Sequence, residues 1–141
     1  MIEAAVVDAS VAVKWVVRET GSDSARSLSR ARLELPDLLL VECANILWKK
    51  VRIGDLTRQD AIGCLAVLLQ APVNFTACRD LVESAMALSL ELQHPVYDCL
   101  YLALALRRAV PLVTADERLT RAARKLRKFA AHVVLLAELQ D

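Results

Sequence analysis

Ala4-Ala5-Val6-Val7-Asp8-Ala9-Ser10 runs apolar residues straight into a carboxylate with no turn residue between them. A short continuous apolar run of this kind suits a strand covered on both faces, as in a parallel sheet. Asp8 then stands where the strand ends. In open α/β sheets ligands bind in the crevice beyond the carboxyl ends of the strands, so an acid at that point is placed for chemistry. A plainer role is also open to Asp8 and Ser10, because both residue types accept hydrogen bonds from free N–H groups at a helix start. The remaining acids of the chain decide between the two.

The chain has 141 residues, 56% of them hydrophobic, which is enough apolar material for one ordinary core. One domain is expected over residues 1–141. With 18 Lys and Arg against 17 Asp and Glu, the net charge of +1 argues neither for nor against a nucleic-acid partner. The longest uninterrupted apolar run, Cys99 to Leu106, is far too short to span a bilayer. The opening residues show no basic region followed by a long apolar one, so the expected location is the cytoplasm, with no membrane partner. Cys43, Cys64, Cys78 and Cys99 lie far apart in apolar segments, with only His94 and His132 as possible co-ligands. That spacing argues for small core residues rather than zinc ligands or disulfides.

After Ser10 a short helix is expected over Val11 to Val17, and a second begins at Gly21-Ser22-Asp23 and runs to roughly Arg32. Leu33 to Leu35 reads as a brief strand ended by Pro36, with Asp37 helping to cap the next helix. From Leu38 to Arg52 the apolar residues Leu39, Cys43, Ile46, Leu47 and Val51 fall at helical spacing. Glu42, Asn45, Lys49 and Arg52 share the other side, and Gly54 suits the stop. Taken alone, Glu42 is one member of a solvated polar face. Thr57 and Asp60 have capping spacing, and the helix they open is apolar on nearly every side from Ala61 to Leu69. Burial within the domain is the plainer expectation for it, and a partner interface the alternative. Pro72 breaks this helix, Val73 to Phe75 can form a strand, and Leu81, Ala85, Leu88 and Leu92 trace a further helix. Strands alternating with helices point to an α/β fold with a central, mostly parallel sheet and helices on both faces.

Val96 to Leu106 is a helix apolar all round whose one charge, Asp98, lies in its first turn. A carboxylate there is favoured by the free N–H groups of the helix start, by about 0.3 to 1 kcal/mol. Capping accounts for the position but not for the apolar surroundings, which make a lone charge costly unless a cation compensates it. Val110-Pro111-Leu112-Val113-Thr114-Ala115-Asp116-Glu117-Arg118-Leu119 reads as a short strand running into a helix. Thr114 and Glu117 have the spacing of a capping box, which leaves Asp116 free beside the strand's carboxyl end. Asp8, Glu42, Asp98 and Asp116 are thus expected at one sheet edge. Four carboxylates together repel one another, and a hard divalent cation such as Mg²⁺ or Mn²⁺ relieves the repulsion. Such an ion, held by carboxylates and substrate phosphate oxygens, suits hydrolysis of a phosphodiester by an activated water. No Ser-His-Asp or Cys-His pattern and no Gly-rich phosphate loop competes with this, and the chain has three glycines in all.

In this order the motifs resemble those of the PIN-domain ribonucleases, and more narrowly the VapC-type toxins of bacterial type II toxin-antitoxin pairs. The resemblance rests on Val7-Asp8-Ala9-Ser10, on Glu42 with Asn45, on Tyr97-Asp98-Cys99-Leu100-Tyr101-Leu102-Ala103-Leu104-Ala105, and on Val113-Thr114-Ala115-Asp116-Glu117-Arg118-Leu119. It extends over the whole chain and implies that Asp8, Glu42, Asp98 and Asp116 bind Mg²⁺ or Mn²⁺ and carry catalysis. Ser10, Asn45 and Thr114 would support them. It further implies a PIN-like fold with a parallel sheet, a homodimer, endonucleolytic cleavage of structured RNA such as tRNA or rRNA, and a cognate antitoxin as partner. Two positions depart from the common pattern, Val41 before Glu42 and Cys99 after Asp98. Neither removes an acid.

Candidate RNA contacts are Arg118, Arg121, Arg124, Lys125, Arg127 and Lys128, a basic run that follows Asp116 and alternates with Leu119, Ala122, Ala123 and Leu126. A merely solvated helix face is the competing reading, and Lys14, Lys49 and Arg52 are weaker candidates. Of the aromatic residues, Trp15, Trp48, Tyr97 and Tyr101 are the possible base-stacking groups, with core packing as their commoner use. Three other functions compete with the toxin: a housekeeping RNA-processing nuclease, aspartyl phosphate transfer through Asp8, and an interaction module whose acids only cap helices. Aspartyl phosphate transfer usually has a second acid two residues on, where this chain has Ser10.

Overall fold

The fold is a single five-stranded sheet in which every pairing is parallel, with strands in the order β3-β2-β1-β4-β5. The structure, a computed structural model, describes residues 2–139. The strands are β1 (Ala4–Val7), β2 (Arg32–Pro36), β3 (Asn74–Thr76), β4 (Leu112–Thr114) and β5 (Val133–Leu135). The helices are α1 (Ala9–Ala12), α2 (Ser22–Ser27), α3 (Leu38–Arg52), α4 (Arg58–Leu69), α5 (Val82–Leu92), α6 (Val96–Arg108), α7 (Glu117–Arg124) and α8 (Arg127–Ala130). Strand β1 is central, and Ala5, Val6 and Val7 are buried on both faces, as its unbroken apolar run requires.

The chain runs from β1 outward to β2 and β3, then returns through α5 and α6 to β4 on the other flank of β1. The β1/β4 boundary is therefore where strand order reverses, and the ends of these two strands open a crevice. Helix α6 fills the core beneath it: every residue from Cys99 to Ala105 is buried.

The sheet is wholly parallel where the sequence pointed to a mostly parallel one, and β5 is a short edge strand that the sequence did not reveal. Arg32 opens β2 rather than ending the preceding helix, which stops at Ser27 and continues as a 3₁₀ turn to Arg30. Thr57 caps α4 as expected, accepting from the Asp60 N–H at 3.0 Å. Asp37 stands at the N-cap of α3, but its carboxylate accepts from the Cys78 N–H at 3.0 Å and caps no helical N–H.

Burial of α4 within the domain does not hold. It packs on α3 rather than on the sheet, only Leu68 is buried, and Ile62, Val67 and Leu69 are 60–72% exposed. A second apolar stripe lies on α5, where Val82, Met86 and Leu90 are exposed at successive helical turns. Among the described residues no helix is long and apolar enough to cross a membrane.

Candidate active site

Asp8 follows β1 directly and opens α1, so one carboxylate meets both the strand end and a helix start. Its Oδ1 accepts from the Ser10 hydroxyl at 2.5 Å and from the Val11 N–H at 3.3 Å, and its Oδ2 accepts from the Thr114 hydroxyl. Pairing of Val7 with Val113 puts Thr114 opposite Asp8 across the β1/β4 boundary. Each hydroxyl also takes a backbone N–H from the turn beyond β4: Ala115 N–H donates to Ser10 Oγ at 3.0 Å and Asp116 N–H to Thr114 Oγ1 at 2.9 Å. Ser10 and Thr114 therefore tie the turn that carries Asp116 to the Asp8 carboxylate. This arrangement replaces the expected capping box. Thr114 is still in extended β4, and the cap of α7 is Asp116 itself, whose Oδ1 accepts from Arg118 N–H at 2.8 Å and Leu119 N–H at 3.4 Å.

Asp8, Ser10, Glu42, Asn45, Asp98 and Asp116 line one cavity of about 510 Å³, with Val41, Lys49 and Tyr97 on its wall. The four acids foreseen from the sequence thus share one space at the carboxyl edge of the sheet. The most desolvated of them is Asp8, at 5% exposure, whereas the Asp98 side chain is 27% exposed. Asp98 is less desolvated than its apolar helix suggested, because the fully buried stretch of α6 begins at the residue after it. Burial pushes the Asp8 carboxyl up to about 6, with a further push from the nearby Asp98 charge, against the hydrogen bonds from Ser10, Thr114 and Val11. Glu42 is half-buried and also raised, by burial first and then by Asp98, while the Tyr101 hydroxyl opposes the rise by donating to Glu42 Oε1 at 2.5 Å. Tyr101 is fully buried on α6, and this bond satisfies its hydroxyl.

Two partners of these acids were not assigned to the site from sequence. Tyr101 holds Glu42, and His94 Nε2 lies 2.6 Å from Asp98 Oδ2. One ligand atom from each of His94, Asp98 and Asp116 lies within 4.8 Å of the other two. Asp8 and Glu42 line the same cavity without joining that group; their carboxylates accept from the Ser10, Thr114 and Tyr101 hydroxyls. Asn45 is exposed on the cavity wall and makes no side-chain hydrogen bond among the described residues.

The donor set fits a hard divalent cation. It is almost entirely carboxylate oxygen, two of its members are raised towards neutrality, and a bound positive charge would remove both the repulsion from Asp98 and much of the cost of burial.

Of the basic candidates, Arg124 is clamped by both oxygens of Glu138 at 2.7 and 2.8 Å, and Lys128 pairs with Glu91. Arg118, Arg121, Lys125 and Arg127 are exposed, and none has an ion-pair partner among the described residues. Lys14 is bound to Glu19 at 3.0 Å, whereas Lys49 stands on the wall of the acid cavity. Trp15 bonds the Ala25 carbonyl at 2.8 Å and Tyr101 is in the core, which leaves Trp48 and Tyr97 as the exposed members of the aromatic set. A larger groove of about 880 Å³, between Trp15–Glu19 and α4, holds none of the four acids.

The sequence model of the PIN domain matches residues 5–125 of this chain. Ribonuclease VapC3 from Pyrobaculum aerophilum is 35% identical over 118 residues, which are 81% of this chain and 90% of that protein. The crystal structure of PAE2754 from the same organism superposes with a TM-score of 0.67 at 23% identity, covering 84% of this chain and 78% of that one. VapC20 from Mycobacterium tuberculosis, described as a sarcin-ricin loop cleaving toxin, superposes with a TM-score of 0.61 at 16% identity, covering 84% and 94%. The two structural likenesses bear on the fold, and the domain match together with the VapC3 identity bears on descent. On that ground the chain belongs to the PIN-domain family.

Proposed function

We propose that this protein is a metal-dependent endoribonuclease that hydrolyses phosphodiester bonds of structured RNA, tRNA or rRNA, and serves as the toxin of a toxin-antitoxin pair. The observation that carries the reading is the convergence of Asp8, Glu42, Asp98 and Asp116 on one cavity at the strand-order reversal, with Asp8 and Glu42 raised by burial. Descent shared with a VapC ribonuclease supports the substrate class.

Asp98 and Asp116 would hold the cation, and the charges of Asp8 and Glu42 in the same cavity would help to compensate it. Mg²⁺ or Mn²⁺, when bound, neutralises charge on the substrate phosphate and lowers the pKa of an attacking water. Ser10 and Thr114 keep Asp8 and the Asp116 turn in fixed relation, and Tyr101 does the same for Glu42. Water attack on phosphorus forms one P–O bond and breaks the bond to the leaving ribose oxygen. The water's proton passes to a cavity carboxylate, and the leaving ribose oxygen takes up a proton from solvent. Lys49 on the wall and the exposed Arg118, Arg121 and Lys125 offset the repulsion between the acids and the RNA backbone. Tyr97, 61% exposed beside Asp98, offers a face on which a base can stack.

Protein partners are an antitoxin and a second copy of the chain. The exposed apolar faces of α4 and α5 support contacts of this kind.

The test is incubation of total tRNA and rRNA with wild type and with Asp98→Asn, each with Mg²⁺, Mn²⁺ or EDTA. Discrete fragments that need the metal and vanish with the substitution are expected. Equal cleavage by both proteins, or cleavage that persists in EDTA, would overturn the reading.

A further inference from the structure

We propose that His94 is a positioning residue for Asp98: its imidazole N–H holds Asp98 Oδ2 and leaves Oδ1 to the cation. This rests on the metal-dependent reading above. Asp98 is the third residue of α6, where a carboxylate ordinarily reaches back to the N–H of the N-cap residue. The N-cap here is Pro95, which has no N–H, and α6 has no side-chain cap. His94, one residue earlier, supplies the missing donor at 2.6 Å.

The backbone that carries the imidazole is held independently of Asp98. The His94 N–H donates to the Ser89 carbonyl at 3.2 Å and the Ser89 hydroxyl donates to the His94 carbonyl at 2.5 Å, so the end of α5 grips both backbone groups of His94. The side chain of His94 is 8% exposed against 27% for Asp98, which places the histidine behind the acid rather than beside it in the open cavity. An ionised carboxylate only accepts hydrogen bonds, so Nε2 carries the hydrogen in this contact and has no lone pair for a cation. His94 therefore acts through Asp98, although its ring lies close enough to Asp116 to be mistaken for a ligand. Polar partners behind a metal-binding group fix its orientation, and their loss typically weakens metal affinity by about 10- to 100-fold.

The experiment measures Mn²⁺ affinity by electron paramagnetic resonance for wild type, His94→Leu, His94→Gln and Asp98→Asn, with thermal melting of each in EDTA. His94→Leu removes the donor, whereas His94→Gln keeps an N–H of similar reach. Expected are a loss of about 10- to 100-fold for His94→Leu, affinity within about threefold of wild type for His94→Gln, and similar melting of both without metal. Wild-type affinity in His94→Leu, with binding lost in Asp98→Asn, overturns the role of His94 and leaves the metal reading intact. Wild-type affinity in Asp98→Asn overturns the metal reading itself. Nitrogen coupling on bound Mn²⁺ that disappears with His94→Gln makes His94 a ligand and also overturns the proposal. If His94→Leu does not fold, a His94→Gln protein that has lost affinity overturns it alone.

Discussion

Replacing Asp8 by Asn should make the metal-free protein more stable while abolishing its activity. The carboxyl is almost wholly desolvated, and its pKa stands at about 6 against an ordinary aspartate value of 3.8. Above pH 7 both the folded and the unfolded chain carry the charge, and the difference between the two values represents a destabilisation of about 3 kcal/mol. Between about pH 4 and 6 the folded state binds more protons than the unfolded one, so stability falls as pH rises through this window and the penalty is complete above it. From pH 7.5 to pH 5 the wild type should recover about half of the penalty, roughly 1.4 kcal/mol, through Asp8 alone. Asparagine keeps an acceptor for Ser10 and Val11 but cannot reproduce the charged contact with Thr114, so the expected gain is about 1–3 kcal/mol at pH 7.5. Urea unfolding of wild type and Asp8→Asn in EDTA at pH 5 and 7.5 reads both numbers, since pH effects common to the two proteins cancel in the comparison. Added Mn²⁺ should then stabilise the wild type more than the variant, because the variant lacks the Asp8 charge that strengthens the ion's binding. A variant less stable than wild type at pH 7.5, or a difference between the two that does not change with pH, would show that burial does not penalise the Asp8 charge.

Three further outcomes follow from the hydrogen bonds and charges around the cavity. Tyr101→Phe should cost about 1.5 kcal/mol, at the low end for a bond to a charged group because Glu42 is half-exposed, and should move the acid limb of the cleavage profile to higher pH as Glu42 loses a donor. An unchanged pH profile would dissociate Glu42 from the reaction. Thr114→Ala should lower cleavage by about 10- to 100-fold, because it frees both the Asp8 carboxylate and the Asp116 backbone N–H; full activity would show that the hydroxyl only packs. Arg121→Ala with Lys125→Ala should weaken RNA binding and flatten the plot of log affinity against log salt by about 0.7 for each RNA phosphate left without its cation, whereas an unaltered slope would confine these residues to a solvated face.

Much of this site was legible because its acids sit at punctuation points of the chain. Asp8 ends an unbroken apolar run, Glu42 lies on the polar side of a helix that begins at Leu38 and ends at Arg52 as its periodicity indicates, and Asp98 is the one charge near the start of a buried helix. Gly54 follows the Leu38–Arg52 helix with a positive φ of 88°, the backbone conformation its position as a stop requires.

The misreadings have tertiary causes. Thr114 and Glu117 satisfy the local rule for a capping box, but pairing of β1 with β4 keeps Thr114 in the strand opposite Asp8, where its hydroxyl donates to the buried carboxylate and accepts from the Asp116 N–H instead of the Glu117 N–H. Helix α4 shows too little polarity for an outer helix, and only its packing on α3 reveals that its apolar residues stay exposed. Strand β5 is three residues long and sits at the sheet edge, too short for any period to show.

Two signals for the missed partners were nevertheless present. Tyr101 is a hydroxyl-bearing residue within a wholly buried stretch, so it needs an acceptor from elsewhere, and Glu42 provides it. His94 precedes a proline that cannot donate to Asp98, which makes a nearby side-chain donor the natural replacement.

The central claim, that these acids form a metal-dependent nuclease centre, is tested most directly by anomalous diffraction from crystals of the wild-type protein grown with Mn²⁺. Mn²⁺ is expected in the cavity lined by Asp8, Glu42, Asp98 and Asp116, with the signal lost in Asp98→Asn crystals. No Mn²⁺ in that cavity at saturating concentration, or an identical signal in the Asp98→Asn protein, would contradict it.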